Sequence, residues 1–161
     1  MPGIHLQKSR ETAGIHLQKR GLDLSALPKV RVGVCLDASG SMDVEYRDGH
    51  VQDALTHLLG LALHMTSSLD VFVFTEQAHQ MPQPATEANY HDYIDRYVAR
   101  HVGGGTDYSP VIHKAYQHYF PDLSHLHNGE SAREHVLALA HQGHGLLGKL
   151  FGHHRHDTPP P

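Results

Sequence analysis

The run Val30-Arg31-Val32-Gly33-Val34-Cys35-Leu36-Asp37-Ala38-Ser39-Gly40-Ser41-Met42 constrains this chain more than any other stretch. Its first half is apolar and β-branched over strand length. Its second half changes abruptly to an aspartate, two serines and a glycine. A buried strand of this kind delivers Asp37, Ser39 and Ser41 to one loop at its C-terminal end, where an open α/β sheet places its ligand. A single carboxylate with hydroxyls, and no histidine beside it, is a hard-oxygen donor set. Such a set suits Mg²⁺ or Mn²⁺ better than zinc.

The following text supplies the rest of an α/β plan. Val51, Ala54, Leu55, Leu58, Leu59, Ala62 and Leu63 recur three and four apart, which predicts an amphipathic helix from Val51 to Met65. Leu69–Thr75 is a second apolar strand, and the proline-bounded stretch Ala78–Pro84 allows at most a short edge strand. Asn89 to His101 carries Tyr90, Tyr93, Ile94, Tyr97 and Val98 and is expected to be a second helix. A glycine-rich loop, Gly103-Gly104-Gly105-Thr106-Asp107-Tyr108-Ser109, leads into a helix from about Pro110 to Tyr119, with the proline in the first turn. Strand, helix, strand, helix, loop and helix in that order predict an α/β domain with a mostly parallel sheet.

The flanks are less regular. Gly3-Ile4-His5-Leu6-Gln7-Lys8 recurs as Gly14-Ile15-His16-Leu17-Gln18-Lys19, and its alternation of apolar and polar residues predicts two short strands paired through Ser9–Ala13. Residues 121–161 hold a helix-like segment from Glu130 to about Gln142, then a tail rich in histidine, glycine and proline. The expected plan is therefore a strand-like extension over 1–28, an α/β core over 29–120, and a helical segment and tail over 121–161.

At 161 residues the chain can bury one real core. A formal charge of −4 gives no reason to expect nucleic acid or an anionic membrane as a partner. No apolar run approaches the roughly 18 residues of a spanning helix, and no signal-peptide core opens the sequence, so cytoplasm is the expected compartment. The single cysteine, Cys35, lies mid-strand and is expected to be a buried packing residue. No nucleophile elbow, phosphate loop or protease histidine pair is present, so the expectation is a protein that is not an enzyme.

The two loops together carry a resemblance. The D-x-S-x-S pattern at Asp37, Ser39 and Ser41, paired with Gly104-Gly105-Thr106-Asp107, resembles the metal-ion-dependent adhesion site of von Willebrand factor A (vWA) domains. The run from about Lys19 to Tyr119 is similar to the vWA domains of bacterial tellurium- and toxic-anion-resistance proteins. The resemblance implies a three-layer α/β/α, Rossmann-like fold. It also implies a site in which Asp37, Ser39, Ser41 and Thr106 hold Mg²⁺ or Mn²⁺ (or Ca²⁺), with Asp107 as an outer-shell candidate. A protein partner would then supply a carboxylate to the metal. The family's further strand ending in Thr-Asp-Gly is not found, so the domain is expected to be truncated or replaced in its C-terminal half. That would leave the metal-bearing strand at a sheet edge open to self-association.

Structural uses of the same residues stand beside this reading. Asp37 and Ser41 can cap the turn that follows them, and Asp107 the helix at Pro110. The 18 histidines, His153, His154 and His156 among them, allow weak transition-metal binding in the tail or simple surface composition. The alternatives to a metal-dependent interaction domain in a stress or tellurium-resistance system are thus two. One is a histidine-rich metal-binding protein on a degraded vWA scaffold; the other is a non-functional remnant.

Overall fold

A computed structural model of the chain describes residues 2–123. The chain divides into two compact units, 1–119 and 120–161. Of the second, the described part is a single 3-10 turn, Pro121–Leu123. The Glu130 helix, the histidine tail and the question of a further Thr-Asp-Gly strand all lie outside the described residues.

The first unit opens with helix α1, Pro2–Lys19, which corrects the expected pair of strands. The two copies of the repeat are eleven residues apart, close to three helical turns, so they present the same residue types on the same faces. Leu6 and Ser9 are buried on one side of α1, and Ala13 and Leu17 are half-buried. The period-two pattern within six residues was real but too short to outweigh the longer period. Gly21, at φ +79°, ends the helix. Its amide donates to Gln18 O and the Leu22 amide to Leu17 O, a Schellman motif.

Among the described residues the sheet has three strands, in the order β1 (Gly33–Asp37), β2 (Asp70–Phe74) and β3 (Ala78–Gln80). Strands β1 and β2 are parallel, with Gly33 opposite Asp70 and Asp37 opposite Phe74. Strand β3 returns antiparallel, with Phe74 opposite Ala78. The crossover from β1 to β2 contains the short helix α2 (Asp43–Arg47) and the longer α3 (His50–Ala62). Helix α4 spans Ser109–Tyr119.

β2 shows why this is a layered α/β fold. Val71 and Val73 point into a core shared with α1, α2 and α3, including Leu6, Tyr46, Leu55 and Leu59. Phe72 and Phe74 point the other way, into a second cluster with Val111, Ala115 and Tyr119 of α4. A strand buried on both faces reads as the unbroken apolar run seen in the sequence.

β1 is less protected. Among the described residues it pairs only with β2, and its faces differ: Val34 and Leu36 are half-buried, whereas Cys35 is exposed. The expectation of a buried Cys35 is therefore wrong. The residue sits on the α4 side of β1, near Tyr119, and is only partly covered.

The stretch expected as one helix over Asn89–His101 is instead a 3-10 turn (Tyr90–Asp92), a π turn (Ile94–Val98) and another 3-10 turn (Ala99–His101). Gln52 of α3 causes the break. Its Nε2 donates to Tyr90 O at 2.6 Å, and its Oε1 accepts from the Ile94 amide at 3.1 Å. In an α-helix those two backbone groups would bond to each other. An amide side chain has entered the ladder between them.

Candidate metal centre

The first loop leaves β1 at Asp37. Strand pairing continues one residue further, where the buried Ala38 amide donates to Phe74 O at 2.8 Å. The chain then turns sharply, because Asp37 Oδ1 accepts from the Ser39 amide at 2.8 Å. That leaves Oδ2 of the carboxylate without a protein partner among the described residues. Ser39 is buried, Ser41 is exposed, and their hydroxyls stand 3.2 Å apart. A 3-10 turn, Gly40–Met42, carries the chain into α2. The Tyr46 hydroxyl reaches back from α2 to donate to Asp37 O at 2.7 Å, tying helix to loop. Burial first, and the Asp37 charge second, push the Tyr46 phenol well above its ordinary range, so it remains a donor.

The second loop is bonded directly to the first. Gly103 N donates to Ala38 O at 2.8 Å, and Gly40 N donates to Gly104 O at 3.0 Å. Gly104 lies in the left-handed region at φ +77°, which suits glycine. The loop is also fixed to β2, through the Asp107 amide and Thr75 O at 2.8 Å. Thr106 therefore arrives, exposed, on a loop held at both sides against the C-terminal ends of two parallel strands. Asp107 directs its Oδ1 to the Ser109 amide at 2.9 Å, the capping geometry for the start of α4.

The arrangement is thus one carboxylate with a free oxygen, two adjacent hydroxyls, and a third hydroxyl on a docked loop. Among the described residues no three His, Cys, Asp or Glu side chains gather as a metal cluster. The donors are those of a hard cation, and they fit one that completes its shell with water. His153, His154 and His156 lie outside the described residues.

The surroundings sort the acidic residues near the loops. Asp43 pairs with Arg47 at 3.5 Å, Asp48 with Arg47 at 3.9 Å, and Glu45 with His50 at 2.7 Å. The His50 imidazole is correspondingly held above its ordinary value by the Glu45 hydrogen bond. Glu76 differs, and sequence reasoning missed it. It follows Thr75 at the end of β2, and a Cβ built on Gly105 would lie 2.6 Å from its Oε1. Its carboxylate is therefore folded onto the second loop. The available signal was its place just beyond the C-terminal end of the strand that neighbours β1.

Three large apolar side chains are exposed close in sequence to the two loops: Val44 of α2, Tyr108, and Ile112 of α4. A groove of about 750 Å³ lies elsewhere, lined by Leu6, Arg10, Ile15, His64 and Tyr90 among others; none of its residues belongs to either loop.

A sheet whose central strand is buried on both faces, with a serine-and-aspartate loop after its first strand and a glycine-rich loop bonded onto it, is the arrangement of a vWA-type α/β domain. The model of the vWA domain found at the C terminus of TerF matches residues 29–126, and the chain belongs to this vWA-TerF-like family. That places it among vWA domains associated with tellurium resistance. It is 32% identical over 119 residues to "Uncharacterized protein YcbR" of Bacillus subtilis (strain 168), covering 66% of this chain and 49% of that protein. The chain thus spans about half the length of the curated relative it matches. No solved structure matches it.

Proposed function

We propose that the chain is a non-enzymatic, divalent-metal-dependent protein-interaction domain of a bacterial stress or tellurium-resistance system, acting in the cytoplasm. The observation that supports this reading best is the pair of backbone bonds between Ala38–Gly40 and Gly103–Gly104. They hold Thr106 on the same rim as Asp37, Ser39 and Ser41. Asp37 contributes the charge, Ser39, Ser41 and Thr106 contribute hydroxyl oxygens, and Asp107 holds the second loop in place through its cap. A bound Mg²⁺ or Mn²⁺ (or Ca²⁺) supplies Lewis-acid attraction for a carboxylate of a partner protein. Exposed Val44, Tyr108 and Ile112, close in sequence to the two loops, give that partner apolar surface to cover.

Calorimetric titration with Mg²⁺ and Mn²⁺ tests the reading, on wild type and on Asp37→Ala/Ser41→Ala. One saturable site, lost in the double variant, with a metal-dependent rise in melting temperature for wild type alone, is the expected result. A cooperatively folded wild type that binds neither ion overturns it.

A further inference from the structure

We propose that Glu76 is the second carboxylate of this centre, a positioning residue that holds the ion's water shell and raises affinity for a divalent cation. This rests on the metal reading above and adds to it a residue from just beyond the end of β2.

Three observations converge on Glu76. Phe74 of β2 stands opposite Asp37 of β1, so Glu76, two residues on, lies beyond the same end of the sheet. The adjacent Thr75 carbonyl anchors the second loop through the Asp107 amide at 2.8 Å. The Glu76 side chain is exposed, yet it runs along the loop: Oε1, Cδ and Cγ lie 2.6, 3.2 and 3.2 Å from the position of a Gly105 Cβ, one residue before Thr106.

Pairing then separates Glu76 from the three acids that follow the first loop, while Asp107 is turned to the Ser109 amide. Asp43, Glu45 and Asp48 are each paired with Arg47 or His50. Among the described residues Glu76 has no ion pair and no hydrogen bond. Asp37 alone leaves a divalent ion half neutralised, because the serine and threonine hydroxyls carry no charge. A carboxylate held beside Thr106 supplies the missing charge. It acts through water, which Mg²⁺ gives up reluctantly.

The same geometry explains glycine at 105 and provides the test. A Cβ there meets the flexible Glu76 side chain rather than backbone, so Gly105→Ala is expected to move the carboxylate and spare the fold. Mg²⁺ titration by calorimetry would be run on wild type, Asp37→Ala, Glu76→Gln, Gly105→Ala, Glu76→Ala and the Glu76→Ala/Gly105→Ala pair. Melting curves in a chelator would accompany each. Glu76→Gln and Gly105→Ala are each expected to weaken binding on the order of three- to tenfold, with unchanged metal-free melting. On the Glu76→Ala background, Gly105→Ala is expected to add nothing. If Asp37→Ala abolishes binding while Glu76→Gln binds as wild type does, the role of Glu76 is overturned and the metal centre stands. Equal weakening by Gly105→Ala with and without Glu76 overturns it as well. No binding by wild type removes both readings together.

Discussion

Tyr46 is where residue chemistry and site geometry meet most directly. Its ring is buried in the main core while its hydroxyl holds the Asp37 carbonyl, so one side chain serves packing and loop position together. Tyr46→Phe keeps the packing and removes the bond, and is expected to cost about 1 kcal/mol. Denaturant unfolding measures that cost, and a matching loss of Mg²⁺ affinity would locate its effect at the loop. At the opposite end of the sheet, the Tyr119 hydroxyl donates to Asp70 Oδ2 at 3.0 Å, and Arg31 lies over the Tyr119 ring at 5.0 Å. A methyl on Gly33 would overlap the Tyr119 hydroxyl at 2.1 Å. Gly33→Ala should therefore expel that ring and lower stability by about 1–3 kcal/mol, with near-wild-type stability in equilibrium unfolding as the contrary result. The sequence shows Gly33 as a glycine in a strand, a weak signal of close approach. What approaches it is a residue of α4 that only the fold brings near.

At the scale of elements, Gln52 decides the form of residues 90–101. Apolar spacing alone favours one helix there, since the competing partner sits on α3 and leaves no local trace. Gln52→Ala removes the partner of the Ile94 amide and leaves the Tyr90 carbonyl with the Tyr93 amide alone, so a loss of about 1–3 kcal/mol is expected, measurable by thermal or urea unfolding. The same segment ends at His101, whose ring stacks on His79 of β3 at 4.7 Å, just before the second loop. Burial first, then the charges of His79 and Arg100, hold the His101 imidazole below its ordinary value of 6.5. The unfolded chain thus binds the proton more readily than the folded one. This contribution to stability is complete above about pH 6.5 and is lost as pH falls towards the lowered folded value. Ring titration by NMR is expected to place His101 below a free imidazole, and His101→Phe to flatten the acid side of the stability curve. A His101 titrating at or above the free value would contradict this.

At the scale of the whole molecule, α1 is part of the core although the family match begins at residue 29. Leu6 is 4% exposed and joins the cluster of Leu55 and Leu59. Gly60 of α3 admits the α1 backbone so closely that a Cβ there would stand 2.9 Å from the Arg10 nitrogen. Leu6→Ala is expected to cost about 2–4 kcal/mol in equilibrium unfolding, far more than truncation of a loosely attached extension would.

Much of this was legible in the chain itself. The alternation from an apolar run to Asp-Ala-Ser-Gly-Ser determined the first strand and its loop, because burial and hydroxyl chemistry are written in residue type. The three-and-four spacing of Val51–Leu63 determined the crossover helix, and Gly103–Thr106 marked the second loop. Interactions between residues distant in sequence were not legible. Tertiary structure left Cys35 exposed on β1, broke the Asn89–His101 helix with Gln52, and laid Glu76 against Gly105. Local pattern records which residues prefer an interior or a turn. Which neighbour each one meets depends on how β1, β2 and α3 come together in space.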